Sequence, residues 1–156
     1  MTRPRRTRRA AAILGSLIAV AALAVVAEAP ASGASAGPPT DQHCTVAITG
    51  QKKSGEYTLG PVVCGDSTAL SVQSIIAVHF VDINFGGASL SITGGTCGGG
   101  WLNMPAGWAN VVSSTWSVCT TTHYDGYGLS GSSETLFSPG GNLSALQDRT
   151  NSVRYT

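Results

Sequence analysis

The sequence predicts an all-β protein of short strands in two packed sheets. Three features carry this expectation: a segment that occurs twice, a turn-rich composition with 20 glycines and only 11% charged residues, and stretches of period-two alternation. The segment His79-Phe80-Val81-Asp82-Ile83-Asn84-Phe85-Gly86-Gly87-Ala88-Ser89 returns as His123-Tyr124-Asp125-Gly126-Tyr127-Gly128-Leu129-Ser130-Gly131-Ser132-Ser133, with the His, the second Gly and the last Ser identical. Both copies also close alike, at residues 110–114 and 148–152, the second being shorter in its middle. A repeat on this scale marks one supersecondary unit used twice.

The strands follow from alternation. In Ser89-Leu90-Ser91-Ile92-Thr93, apolar and hydroxyl residues exchange sides. Ile76, Val78 and Phe80 alternate with Ala77, His79 and Val81, which predicts the first set inward and His79 on the strand surface. His123, at the matching position, takes the same surface role. Residues from Tyr124 onward and Thr135-Leu136-Phe137 repeat the pattern less regularly. Each copy therefore holds about four short strands, and strands that bury one face must find a second sheet. Upstream, Cys44-Thr45-Val46-Ala47-Ile48 and Thr58-Leu59-Gly60-Pro61-Val62-Val63-Cys64 flank a polar turn and predict a hairpin. Asp66 or Ser67 is placed to start a single helical turn in the connector that follows.

The N-terminus reads differently. Arg3, Arg5, Arg6, Arg8 and Arg9 precede an apolar run from Ala10 to Ala27, and small residues follow as far as Ala34-Ser35-Ala36. Basic, apolar, then small is the layout of a secretory signal peptide, with cleavage after Ala36. A retained anchor is the competing reading, since the run nearly reaches spanning length. We assign residues 1–36 as signal peptide, 37–43 as a flexible leader, 44–74 as hairpin and connector, and 75–156 as the repeated domain. After cleavage Lys52, Lys53, Arg149 and Arg154 face seven acidic side chains, so the mature chain is acidic and has no nucleic-acid signature. It carries no further apolar run long enough to anchor it in a membrane, and a secreted monomer is expected.

Cys44, Cys64, Cys97 and Cys119 in an exported chain predict two disulfides. Three connectivities are possible. The hairpin favours Cys44–Cys64, which leaves Cys97–Cys119 to tie a Gly-rich loop to the start of the second copy. Loops of this length are worth roughly 3 kcal/mol each. Their spacing is wrong for zinc.

These residues resemble the βγ-crystallin family. Phe80-x4-Phe85-x-Gly87 matches its Greek-key signature, and Tyr124-x4-Leu129-x-Gly131 repeats it with Leu129 for the second aromatic. Ser114 and Ser152 fall where that family places its later serine. The resemblance covers about residues 75–156. It implies two Greek-key motifs packed as a βγ-crystallin-like sandwich, preceded here by the disulfide-closed hairpin. Gly87 and Gly131 would supply positive φ in a folded-over hairpin. Phe80 and Tyr124 would cover it, and the late serines would satisfy backbone groups left unpaired there.

The resemblance also implies calcium between the motifs. Its ligand pattern is depleted in both copies, at Ala109-Asn110-Val111-Val112-Ser113-Ser114 and Gln147-Asp148-Arg149-Thr150-Asn151-Ser152. Asp82, Ser113, Asp125 and Asn151 remain as oxygen donors, short of the six to eight that calcium takes, and Arg149 adds repulsion. No cofactor is required. Small secreted bacterial domains of this group include metalloproteinase inhibitors and killer-toxin-like proteins.

Enzyme motifs are absent: no nucleophile elbow, zinc helix or phosphate loop occurs. A triad of one of His43, His79 and His123 with Asp82 and Ser89 is the hydrolase alternative. Trp101 and Trp108, in the 94–108 loop, are either core residues or exposed anchors for a protein target. The expectation is a non-enzymatic binding protein that occludes an extracellular protein, foremost a protease. The alternatives are a structural or weakly calcium-binding domain and a toxin-like antimicrobial.

Overall fold

The computed structural model describes residues 42–65 and 74–156. The segment expected to be a signal peptide, nearly all of the expected leader and the helical turn expected at Asp66 or Ser67 lie outside the described residues. Among those described, regular structure is almost wholly strand. Three strands precede the repeat: β1 (His43–Gln51), β2 (Tyr57–Leu59) and β3 (Val63–Cys64). The first copy contributes β4 (Ile75–Phe80), β5 (Ser89–Thr93), β6 (Trp101–Asn103) and β7 (Ser114–Ser117). The second contributes β8 (Thr121–Tyr124), β9 (Ser133–Leu136), β10 (Gly140–Asn142) and β11 (Ser152–Tyr155).

The sheets are assembled by exchange. One sheet runs β10-β7-β4-β5-β1-β2, with β3 also on β1; the other runs β6-β11-β8-β9. Each copy keeps its first, second and fourth strands together and lends its third to the other copy's sheet. Two Greek keys interlocked in this way form a βγ-crystallin-like sandwich, the fold class expected from the sequence.

The hairpin does not stand apart as a prelude. β1 runs parallel to β5, from His43 opposite Ser89 to Ala47 opposite Thr93, and so extends the first copy's sheet. It begins at His43, the last residue of the expected leader. Cys44 faces Cys64 across β1 and β3, and these two are bonded. The second disulfide joins Cys97 to Cys119, between the Gly-rich loop and the link from β7 to β8. Two disulfides point to an oxidising compartment. No helix among the described residues is long and apolar enough to cross a membrane.

One expectation is overturned in β4. The ladder to β5 slips between Ile75 and Ala77, so that Ile76 and Ala77 are both buried. An extra residue in one strand reverses which face every later side chain takes. Ala77 and His79 therefore point inward, while Val78 and Phe80 are half-buried on the outer face. His123 is likewise fully buried, so neither histidine has the strand-surface role expected for it. Leu90, Ile92, Val46, Leu102, Val153 and Tyr155 complete the inner layer, each at most 1% exposed.

Both repeat hairpins fold back over their own sheet. Gly87 has φ 70° and Gly131 φ 81°. A Cβ on Gly87 would sit 2.5 Å from Asp82 Oδ2, and one on Gly131 would collide with Asp125 Oδ1. Alanine at either position is expected to lower stability by about 1 kcal/mol or more, through left-handed strain alone. Urea unfolding measures this, and parent-like midpoints for both variants would contradict it.

Candidate functional site

Two loops distant in sequence form a single braced edge. The turn 51–56 is closed by Lys52 N–H to the Glu56 carbonyl (2.7 Å) and Gly55 N–H to the Lys52 carbonyl (2.9 Å). The loop 94–100 comes up beside it. Trp101 N–H donates to the Gly55 carbonyl at 3.1 Å, and its indole Nε1–H donates to the Ser54 carbonyl at 3.2 Å. Below them the Tyr57 hydroxyl donates to the Thr96 carbonyl at 2.8 Å. Gly100 has to be glycine, since a Cβ there would run into the Tyr57 ring. The Cys97–Cys119 bond holds the loop from the other side. What this edge offers to solvent is polar: Gln51, Lys52, Lys53, Ser54 and Thr96 are exposed. Lys52 pairs with Glu56 at 2.7 Å, and Lys53 carries the tip's second positive charge.

The tryptophan pair divides between two roles. Trp108 is 3% exposed and belongs to the core cluster, which corrects its reading as a target anchor. Trp101 is half-buried and its one donor is already committed to Ser54, so it clamps the loops together. The exposed aromatics lie elsewhere, at Phe85, Trp116, Tyr127 and Phe137.

The motif residues occupy equivalent places in the two copies. Ser114 Oγ donates to the Asp82 carbonyl at 2.6 Å and accepts from Phe85 N–H at 3.0 Å. Ser152 Oγ donates to the Gly126 carbonyl at 2.6 Å and accepts from Leu129 N–H at 3.0 Å. Phe80 and Phe85 meet edge-on with ring centroids 5.6 Å apart. Tyr124 and Leu129 are half-buried in the second copy.

The oxygen donors named for calcium are only partly brought together. Ser113 Oγ donates to Asp148 Oδ1 at 2.8 Å, joining the copies at one site. At the other, Asn151 Nδ2 donates to Asn110 Oδ1 at 2.7 Å. Asn110 and Asp148 are both in the left-handed region, at φ 60° and 55°, which turns each toward the opposite copy. Asn and Asp tolerate that conformation better than most residues. Asp82 and Asp125 are used differently. The Asp82 carboxylate lies against Gly86 and Gly87, and Asp125 Oδ1 accepts from Ser132 N–H at 2.7 Å. Arg149 Nη2 takes Asp125 Oδ2 at 2.7 Å. Ser113 and Asp148 fit a weak calcium site in part. The Asn151 site does not fit one, because a donor nitrogen faces the oxygens there.

The triad geometry is not assembled. His79 and His123 meet edge-on between the sheets, with centroids 5.5 Å apart. His79 Nε2 is 2.8 Å from the Tyr155 hydroxyl and its Nδ1 2.9 Å from Thr115 Oγ1. Thr115 Oγ1 reaches His123 Nε2 at 3.3 Å, and His123 Nδ1 reaches Thr150 Oγ1 at 3.2 Å. Each ring thus lies between two hydroxyls and is satisfied while neutral, with one N–H donating and one nitrogen accepting. Burial pushes the His79 imidazole well below its usual range, and His123 adds to that. Burial takes His123 down to about 3. His43 Nδ1 lies 2.8 Å from Ser89 Oγ, apart from the other two.

No protein-family model matches the chain, and no curated protein matches it. Among solved structures it is similar to a double mutant of a βγ-crystallin domain from Clostridium beijerinckii, at 23% identity with a TM-score of 0.44. That likeness spans 53% of this chain and 98% of the other.

Proposed function

We propose that the chain is exported, loses residues 1–36, and works as a non-enzymatic binding domain that occludes an extracellular protein. The observation that carries this reading is the joining of the 51–56 turn and the 94–100 loop into one braced edge. A binding loop already held in shape avoids the ordering cost that weakens flexible loops. Two disulfides, both tied to these segments, suit a protein that must keep that shape outside the cell. A protease is the target class to test first, because a loop edge held in one shape can enter a substrate cleft without an ordering cost.

The mature protein would be assayed against a panel of secreted metalloproteases and serine proteases. Inhibition at micromolar concentration or below is expected for one of them. Lys53→Ala should weaken that inhibition about tenfold with an unchanged Tm, since a rim charge acts mainly on association. Trp101→Ala should weaken it and also lower the Tm, because it opens the clamp. If nothing in the panel is inhibited, the protease target is lost.

Ser113 beside Asp148 supports a second reading, a structural domain that binds calcium weakly, in the range of about 10⁻⁴–10⁻³ M. Its signature is a millimolar calcium shift in Tm that Asp148→Asn abolishes. A toxin-like antimicrobial would use the same braced edge on a different target, and growth inhibition of competing bacteria would reveal it.

A further inference from the structure

Three oxygen atoms from three segments converge on one amide nitrogen. Asn151 Nδ2 lies 2.7 Å from Asn110 Oδ1, 2.8 Å from the Asp125 carbonyl and 3.3 Å from the Arg149 carbonyl. Asn110 belongs to the first copy and the other two to the second. Two of the three oxygens are backbone carbonyls, which cannot turn into donors, so the side chain must present its N–H₂ and not its oxygen. That choice leaves Asn151 Oδ1 buried with no hydrogen-bond partner among the described residues. A buried acceptor without a partner is costly, so the contacts made by the nitrogen have to outweigh it.

The other inter-copy site is built from different chemistry. There Ser113 Oγ faces Asp148 Oδ1 at 2.8 Å. A hydroxyl can rotate its proton away and offer a lone pair to a cation, whereas an amide nitrogen has none to offer. The sites differ in charge as well. Arg149 places a guanidinium on Asp125 Oδ2 at 2.7 Å, while the matching residue of the first copy is Val111. The amide hydrogens of Asn151 thus meet the three oxygens from within the chain, and the Arg149 guanidinium neutralises the Asp125 carboxylate beside them. Clustered carbonyl and amide oxygens are the donor set that a hard divalent cation collects.

We propose that the Asn151 amide nitrogen, backed by Arg149, stands in for a divalent cation at this site. It ties the second copy to the first without metal, and exchanging that N–H₂ for an oxygen turns the site into a calcium site. This inference is independent of the occlusion reading.

Asn151→Asp makes that exchange at nearly constant volume. It would be measured in an Asp148→Asn background, which removes the carboxylate of the other site. In EDTA the added change should lower the Tm by several degrees, since four oxygens then face one another. Millimolar calcium chloride should recover most of that loss along a saturating curve. An unchanged Tm in EDTA, or a loss that calcium does not recover, would overturn the proposal. A second measurement uses the unmodified chain and stands even if the variant does not fold. The Asn151 side-chain N–H₂ resonances should be protected from solvent exchange and should not move between EDTA and millimolar calcium. Calcium-dependent movement or loss of those resonances would show Asn151 acting as a ligand through its oxygen and would equally overturn it.

Discussion

Acidification from pH 7 to pH 5 is expected to remove about 4 kcal/mol of folding stability. The cause is the His79–His123 pair. Both rings are fully buried and hydrogen-bonded as neutral imidazoles, with their proton affinity well below the ordinary value of 6.5. In the unfolded chain they regain that ordinary value. Below it the unfolded state binds two protons that the folded state does not, so stability falls as pH falls. The contribution is complete above about pH 7, and the loss begins near 6.5. It continues toward the folded value, about 3 for His123. Each histidine loses about 1.4 kcal/mol per pH unit inside that window. Urea midpoints at a series of pH values measure the slope. His123→Gln keeps a polar side chain and should roughly halve it. Stability that stays flat between pH 7 and 5 would mean that both rings take up protons in the fold, and a halved slope that one does.

Gly140→Ala should be the most damaging glycine substitution in the repeat, at about 3 kcal/mol or more. Gly140 opens β10, the strand that the second copy lends to the first copy's sheet, and it pairs with Trp116. Its φ is 103°, outside the range that L side chains adopt readily. A Cβ there would be driven into the Thr115 carbonyl, a backbone atom held within β7. Strain and collision therefore add, and neither can be relieved by turning a side chain. The neighbouring Gly141 is the control, since a Cβ on it meets nothing within 4 Å. Gly141→Ala should unfold near the parent midpoint. Hydrogen exchange should show the β10–β7 amides of Gly140→Ala losing protection first. Parent-like stability in that variant would mean that the strand exchange tolerates a side chain at its entry.

The two variants probe layers of different legibility. A doubled His-aromatic segment and short alternating runs were enough to read an all-β pair of four-stranded units, because turn chemistry and period-two patterning act over a few residues. Gly87 and Gly131 were singled out by the resemblance to the βγ-crystallin signature, and their positive φ is the local reason such a position holds glycine. The Cys44–Cys64 pairing followed from a hairpin whose two arms are close in sequence. Inward and outward faces in β4 could not be read. Alternation assumes an unbroken ladder, and the slip at Ile76–Ala77 exists only because β5 lies alongside. That slip put His79 in the core, where it meets His123 and Tyr155.

Other decisions were made only by long-range pairing. Both copies carry the same kind of third strand, and nothing local in Trp101–Asn103 or Gly140–Asn142 says that each pairs in the opposite sheet. The parallel join of β1 to β5 likewise leaves no pattern in either segment. The braced edge depends on that join, because it carries the 51–56 turn to Trp101. Asn151 shows the limit most clearly. As a residue in a motif it reads as a weakened oxygen ligand. Only the backbone carbonyls of Asp125 and Arg149, brought in by the folded chain, decide that its nitrogen faces them. Sequence by itself determined which segments become strands and turns. The tertiary structure decided which atoms of those segments meet, since contacts between groups far apart in the chain depend on the closure of both sheets together.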